Sequence, residues 1–189
     1  LEPMGFIKFD ILGLSTLKMI EGAIGHILKR HHGVENPSFD EIKEYYNVHL
    51  HPEKIDLDDQ NVYENIFHKG KWAGVFQFTE AGAQNFCRKV KPRNIIDVAA
   101  IASIYRPGPL GADVDKLYVK AKKSPEDIIY EHDLVRDLTK ETYGFLIFQE
   151  QIALLAHKLG KDFSLDEGNK LRKLLTKKGT GAIAEQKTQ

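Results

Sequence analysis

The chain has 189 residues, 42% hydrophobic and 29% charged, with a formal net charge of zero. That is enough for one domain, or one and a fraction, with a real core, and it excludes any whole-chain electrostatic draw to nucleic acid or membrane. The single cysteine, Cys87, excludes an internal disulfide and points to a reducing, cytoplasmic setting. No apolar run approaches the roughly 20 residues of a membrane span, and no leader pattern opens the chain. The chain starts at Leu1 and ends in a polar stretch from Thr180 to Gln189. Both ends are expected to be cut from something longer, although a processed protein would look the same.

The first β-prone run, Phe6 to Phe9, closes on Asp10, and a glycine-broken turn follows. On a strand Lys8 and Asp10 leave from the same face, an arrangement suited to metal and phosphate; equally, Asp10 could cap the next helix beside a solvated Lys8. Leu14, Leu17, Ile20, Ile24, Ile27 and Leu28 then recur at helical steps, with Ser15 as N-cap and a glycine stop at Gly33. Ser38-Phe39-Asp40-Glu41 reads as a capping box opening a short helix through Tyr46. An acidic loop at Asp56, Asp58 and Asp59 leads a helix from Gln60 to His68.

Trp72 to Phe78 is a second β-prone run. Thr79 is expected to cap a helix with Ala83, Phe86 and Val90 inward, stopped by Pro92. Asn94 or Asp97 begins an almost wholly apolar helix, Ile95 to Ile104, which should be deeply buried. It ends in the rigid corner Arg106-Pro107-Gly108-Pro109. A charged helix, Asp113 to Lys122, precedes a linker at Ser124-Pro125-Glu126. Thr142 to Phe148 is a third β-prone run. It passes into a helix whose Phe148, Ile152, Leu155 and Leu159 share a face. A second capping box, Ser164 to Glu167, opens the last helix, which runs to about Lys178. The expected fold is mostly α with a few short β-strands.

The last helix carries the clearest charge signal. Lys170, Arg172, Lys173, Lys177 and Lys178 include no acid among them. Lys170, Lys173 and Lys177 form one stripe, and Leu171, Leu174 and Leu175 form another. The leucines would dock the helix and leave the cations for phosphates. The alternative is a solvated basic face favoured by the helix dipole. The histidines lack metal-site spacing, Cys87 reads as a small core residue, and the acidic loop lacks the glycine and glutamate of a calcium loop.

Phe6 to Leu14 resembles the third catalytic-aspartate motif of the family C bacterial replicative polymerases, the DNA polymerase III alpha subunits. Gly74-Val75-Phe76-Gln77-Phe78-Thr79-Glu80 is similar to that family's G-V-F-Q-L-E-S, and Tyr105 to Leu110 to its R-P-G-P-L corner. Tyr143-Gly144 through Phe148-Gln149-Glu150-Gln151 is similar to Y-G-x-x-x-Y-Q-E-Q. Leu171-Arg172-Lys173 with Lys177-Lys178 lies where the family has L-R-R-A-M-G-K-K. The resemblance covers essentially the whole chain, in order.

It implies a helical fingers-type domain attached to a terminal palm strand. Residues 1–14 would be the palm end, 15–178 the proximal fingers and 179–189 a polar, disordered tail. Asp10 would be one of three aspartates holding two Mg²⁺ ions, which this fragment alone is not expected to hold. Lys8, Arg172, Lys173, Lys177 and Lys178 would bind the dNTP and phosphates, beside primer-template DNA. Other replicase subunits would meet regions outside this chain, and no membrane is implied. The isolated fragment is expected to be inactive. Lysine at 173 replaces a family arginine and lacks its planar fork, Leu174-Leu175-Thr176 replaces A-M-G, and His31 to Lys54 looks inserted. These departures imply a divergent or specialised polymerase. The alternative is a non-catalytic helical module that binds nucleic acid or docks a partner.

Overall fold

The computed structural model describes residues 4–7, 9–106 and 113–176. Lys8, Pro107, Gly108, Pro109, Lys177, Lys178 and the expected tail lie outside the described residues. The chain divides into two compact units, Leu1–Leu57 and Asp58–Gln189.

The first unit pairs two helices, α1 (Ser15–His31) and α2 (Phe39–His49). Of the apolar face read in α1, Ile24 and Leu28 are buried, while Leu14 and Leu17 are exposed. Gly25 faces α2: a Cβ there would meet Ile42 Cδ1 at 3.8 Å, an ordinary contact distance that would admit a small side chain. Ser15 is not the cap. Leu14 holds that position with no side-chain bond, and Ser15 is the first helical residue. At the other end Gly33 takes φ +69° and the Val34 N–H donates to Leu28 O at 3.3 Å, a left-handed helix exit that glycine adopts cheaply. The capping box of α2 forms as read. Glu41 Oε2 accepts from the Ser38 N–H at 2.8 Å, and Ser38 Oγ accepts from the Glu41 N–H at 3.3 Å. The Ser38 N–H and the Ser38 hydroxyl, both donating to Glu41 Oε2, hold the Glu41 carboxyl below its ordinary range.

The second unit begins with α3 (Gln60–Val62), capped by Asp59 and widening without a break into a π-helical turn, Tyr63–His68. Then come α4 (Ala81–Val90), α5 (Ile95–Ile104) and α6 (Val114–Lys123). After a 3₁₀ turn at Pro125–Asp127 follow α7 (Asp133–Thr139), α8 (Gln149–Leu159) and α9 (Leu165–Thr176). Helix α7 is absent from the sequence reading, because seven residues carry too little periodicity to show. The core gathers Trp72, Phe78, Phe86, Cys87, Val90, Ala100, Ile101, Ile104 and Tyr118. Asn94 caps α5 by accepting the Asp97 N–H at 2.8 Å. Glu80 rather than Thr79 precedes α4, again without a side-chain bond. None of the described helices is long and apolar enough to cross a membrane.

The α expectation holds, but the strands do not form: no strand occurs among the described residues. The second and third β-prone runs spend backbone groups elsewhere. In the second run, Val75 N–H donates to Trp72 O at 3.0 Å and Phe78 N–H to Val75 O at 3.3 Å. These two turns bury Trp72 and Phe78 as stacked rings 5.6 Å apart, leaving Phe76 exposed. Burial therefore follows a step of three rather than the strand step of two. In the third run, Tyr143 and Gly144 both turn left-handed (φ +52° and +85°), the Phe145 N–H donates to Thr142 O at 3.1 Å, and the Ile147 and Phe148 amides are taken by the Gln151 side chain. Around Asp10 the backbone is irregular, Phe6, Ile7 and Phe9 are exposed, and the palm strand expected there has no described strand to pair with.

One buried ion pair was not legible in sequence. Asp97 is 1% exposed and pairs with Lys122, while the Arg93 N–H donates to Asp97 Oδ2 at 2.8 Å. Lys122 also donates to Lys91 O at 3.2 Å, so α6 is fastened to α5 and to the turn before it. Burial lowers the Lys122 ammonium below its ordinary range even so, with Asp97 opposing. Burial also pushes the neighbouring Cys87 thiol up from 9.0 to about 12.

That thiol sets an alkaline limit. Above pH 9 the unfolded chain ionises Cys87 and the folded chain does not, so stability is lost as pH rises from 9 towards 12. Tyr118 and Tyr143, raised by burial, act in the same direction at higher pH; Lys122 acts in the opposite direction. Between pH 8 and pH 10, urea unfolding should show the parent losing about 1.4 kcal/mol more than Cys87→Ala.

Candidate functional site

The site is built on the antiparallel pair α8 and α9. Its base is Gln151, the third residue of α8. The Gln151 side-chain oxygen accepts the Ile147 N–H at 2.8 Å and the Phe148 N–H at 2.9 Å. Its amide nitrogen donates to Leu138 O and to Thr142 Oγ1, both at 2.9 Å. Thr142 Oγ1 in turn donates to Phe145 O at 2.6 Å. One amide thus ties the end of α7, the left-handed turn and the start of α8. Glutamine at the third helical position, reaching back to the cap N–H, is half of a capping box. The buried positions of α8 are Gln151 and Ala153, while Leu159 of the face read in sequence is 57% exposed.

Helix α9 seats on α8 through a glycine. Gly168 is buried, and a Cβ on it would lie 2.5 Å from Ala153 O, so the two backbones touch. Four residues on along α9 is Arg172; four residues back along α8 is Gln149. Arg172 Nη1 donates to Gln149 Oε1 one turn beyond the glycine contact. At the start of α9 the second capping box forms, with Glu167 Oε2 accepting the Ser164 N–H at 2.7 Å and its carboxyl held low by those bonds.

The leucine stripe does not dock this helix. Leu171, Leu174 and Leu175 are 36%, 41% and 53% exposed. The positions seen to meet α8 are Gly168 and Arg172, of which glycine carries no hydrophobic signal to find. Lys170 and Lys173 are exposed and Arg172 is half-buried. This cluster is a cationic turn mounted on a fixed pair of helices.

A second feature was missed. Gln77, Thr79 and Glu80 of the G-V-F-Q-like stretch face Tyr105 and Arg106 of the corner across a cleft of about 480 Å³. Gln77 holds φ +64°, and the Tyr105 hydroxyl lies 1.8 Å from where a Cβ on Gly82 would be. Two stretches read separately are therefore walls of one cleft, a proximity that only the α4–α5 packing creates. Arg106 is exposed at this cleft.

Asp10 is exposed in the first unit. It supplies one carboxylate, and among the described residues no three His, Cys, Asp or Glu side chains form a metal-holding group. This donor set does not fit a pair of magnesium ions.

A family model described as the bacterial DNA polymerase III alpha subunit finger domain matches residues 19–189. The DNA polymerase III subunit alpha of Chlamydia trachomatis is 34% identical over 177 residues, 94% of this chain and 13% of that protein. That of Aquifex aeolicus is 32% identical over 99% of this chain and 15% of its own length. That of Halalkalibacterium halodurans is 32% identical over 98% of this chain, again 15% of its own length. The chain thus spans about a seventh of these relatives.

Replacing Gln151 by leucine should leave two N–H groups and a carbonyl without their partner. A loss of about 3 kcal/mol is expected in urea unfolding.

Proposed function

The chain belongs to the bacterial DNA polymerase III alpha subunit finger domain family, and on that premise we propose that it is the triphosphate-gripping part of a DNA-directed DNA polymerase. The observation that carries this reading is the mounted cationic turn. Arg172 is held at the start of α8 with Lys170 and Lys173 exposed beside it. A fixed guanidinium can offer two parallel donors to a phosphate, and the lysines add charge without a fixed direction. Such preset charges stabilise a transferring phosphoryl group without reorganising as the reaction proceeds.

On the same reading residues 1–14 end the palm, 15–178 form the proximal fingers and 179–189 a tail. Asp10, in the aspartate motif, belongs to a metal-binding set whose other carboxylates lie outside these 189 residues. Lys8, Lys177 and Lys178 contact phosphates, and the Arg106 to Pro109 corner has a structural role. The partners are a dNTP and primer-template DNA, with other replicase subunits bound by regions beyond this chain. The isolated chain has no catalytic centre, since one carboxylate does not hold two metal ions.

In the full-length polymerase, Asp10→Ala should abolish magnesium-dependent primer extension and leave DNA affinity within about twofold. Surviving extension would remove Asp10 from the metal-binding set, and extension by the isolated 189 residues would sink the fragment reading.

A further inference from the structure

We infer that Gln149 is a positioning residue for Arg172, setting the direction of the guanidinium that grips the incoming nucleoside triphosphate. The inference rests on the reading of Arg172 given above. It comes from how firmly both ends of this contact are anchored. Gln149 opens α8 two residues before Gln151, whose four hydrogen bonds fix the backbone there. Arg172 lies one turn beyond Gly168, where backbone contact with Ala153 fixes the spacing of the two helices. Both backbones are set, yet Gln149 is exposed and lines no core. A side chain in that place has little to add to stability. What it does is accept a hydrogen bond from Arg172 Nη1.

An arginine has many rotamers, and most of them do not aim its planar fork at one phosphate. Accepting one of its donors narrows those rotamers. The restriction exists before the triphosphate arrives, so the complex loses less conformational freedom on forming. The sequence hides this pairing, since 149 and 172 are far apart and glutamine in an apparent helix start reads only as a cap partner.

The test is a double-mutant cycle in the full-length polymerase on primer-template, with KM for dNTP and kcat measured separately. Gln149→Ala should raise KM about 10-fold with kcat within about twofold, and leave the unfolding midpoint unchanged. Arg172→Ala should raise KM more. The double variant should be no worse than Arg172→Ala alone, because Gln149 acts only through the arginine. If Arg172→Ala impairs KM while Gln149→Ala matches the parent, or if the two effects multiply, positioning by Gln149 is overturned and the role of Arg172 stands. If Arg172→Ala leaves both constants unchanged, the reading of Arg172 fails and the inference falls with it.

Discussion

The side-chain amide of Gln151 has two lone-pair sites and two protons, and the fold uses all four. Two of its partners are backbone N–H groups at a helix start, where no helical carbonyl can reach them. A third is the carbonyl of Leu138 near the end of the preceding helix. Without this one group the Tyr143–Gly144 turn would leave buried polar atoms bare, and the direction of α8 would be free. Everything on α9 inherits its place from α8 through Gly168. The position of Arg172 is therefore decided largely by how another helix is held.

Much of this was open to reading from the sequence. Helices with strong periodicity or a polar cap announced themselves: the Ser38 and Ser164 boxes, the Asn94 cap and the glycine exit at Gly33 all form. The second and third strand expectations failed for one shared reason. Aromatic and β-branched runs signal that side chains will be buried, not that backbones will pair. At Trp72 to Phe78 the burial step is three, and at Ile147 and Phe148 a glutamine holds the amides a neighbouring strand would need. Caps were misplaced at Ser15 and Thr79 because a hydroxyl near a helix start is a candidate, while the backbone angles decide.

The cationic helix was found for its charge but misread in its seating. Three leucines at helical spacing draw attention in a hydropathy pattern, and a glycine contributes nothing to one. Yet close backbone approach needs the absence of a side chain, so the contact that decides the geometry was the one the pattern could not carry. The same blindness applies to Asp97 and Lys122, two charges whose burial depends on being brought together from 25 positions apart. Asp10 and the corner were legible only through resemblance to a family, since a lone carboxylate before a helix has ordinary structural uses.

The burial of Cys87 has a practical side. It is the chain's single cysteine, it has no measurable exposure, and its thiol titrates near 12. At neutral pH the reactive thiolate is roughly one part in 100,000, and even that is walled off from reagents. For maleimide and iodoacetamide dyes this segment behaves as though it were cysteine-free. A thiol introduced on the solvent side of α9 would take the fluorophore alone, and the hairpin could be watched without first stripping the native residue.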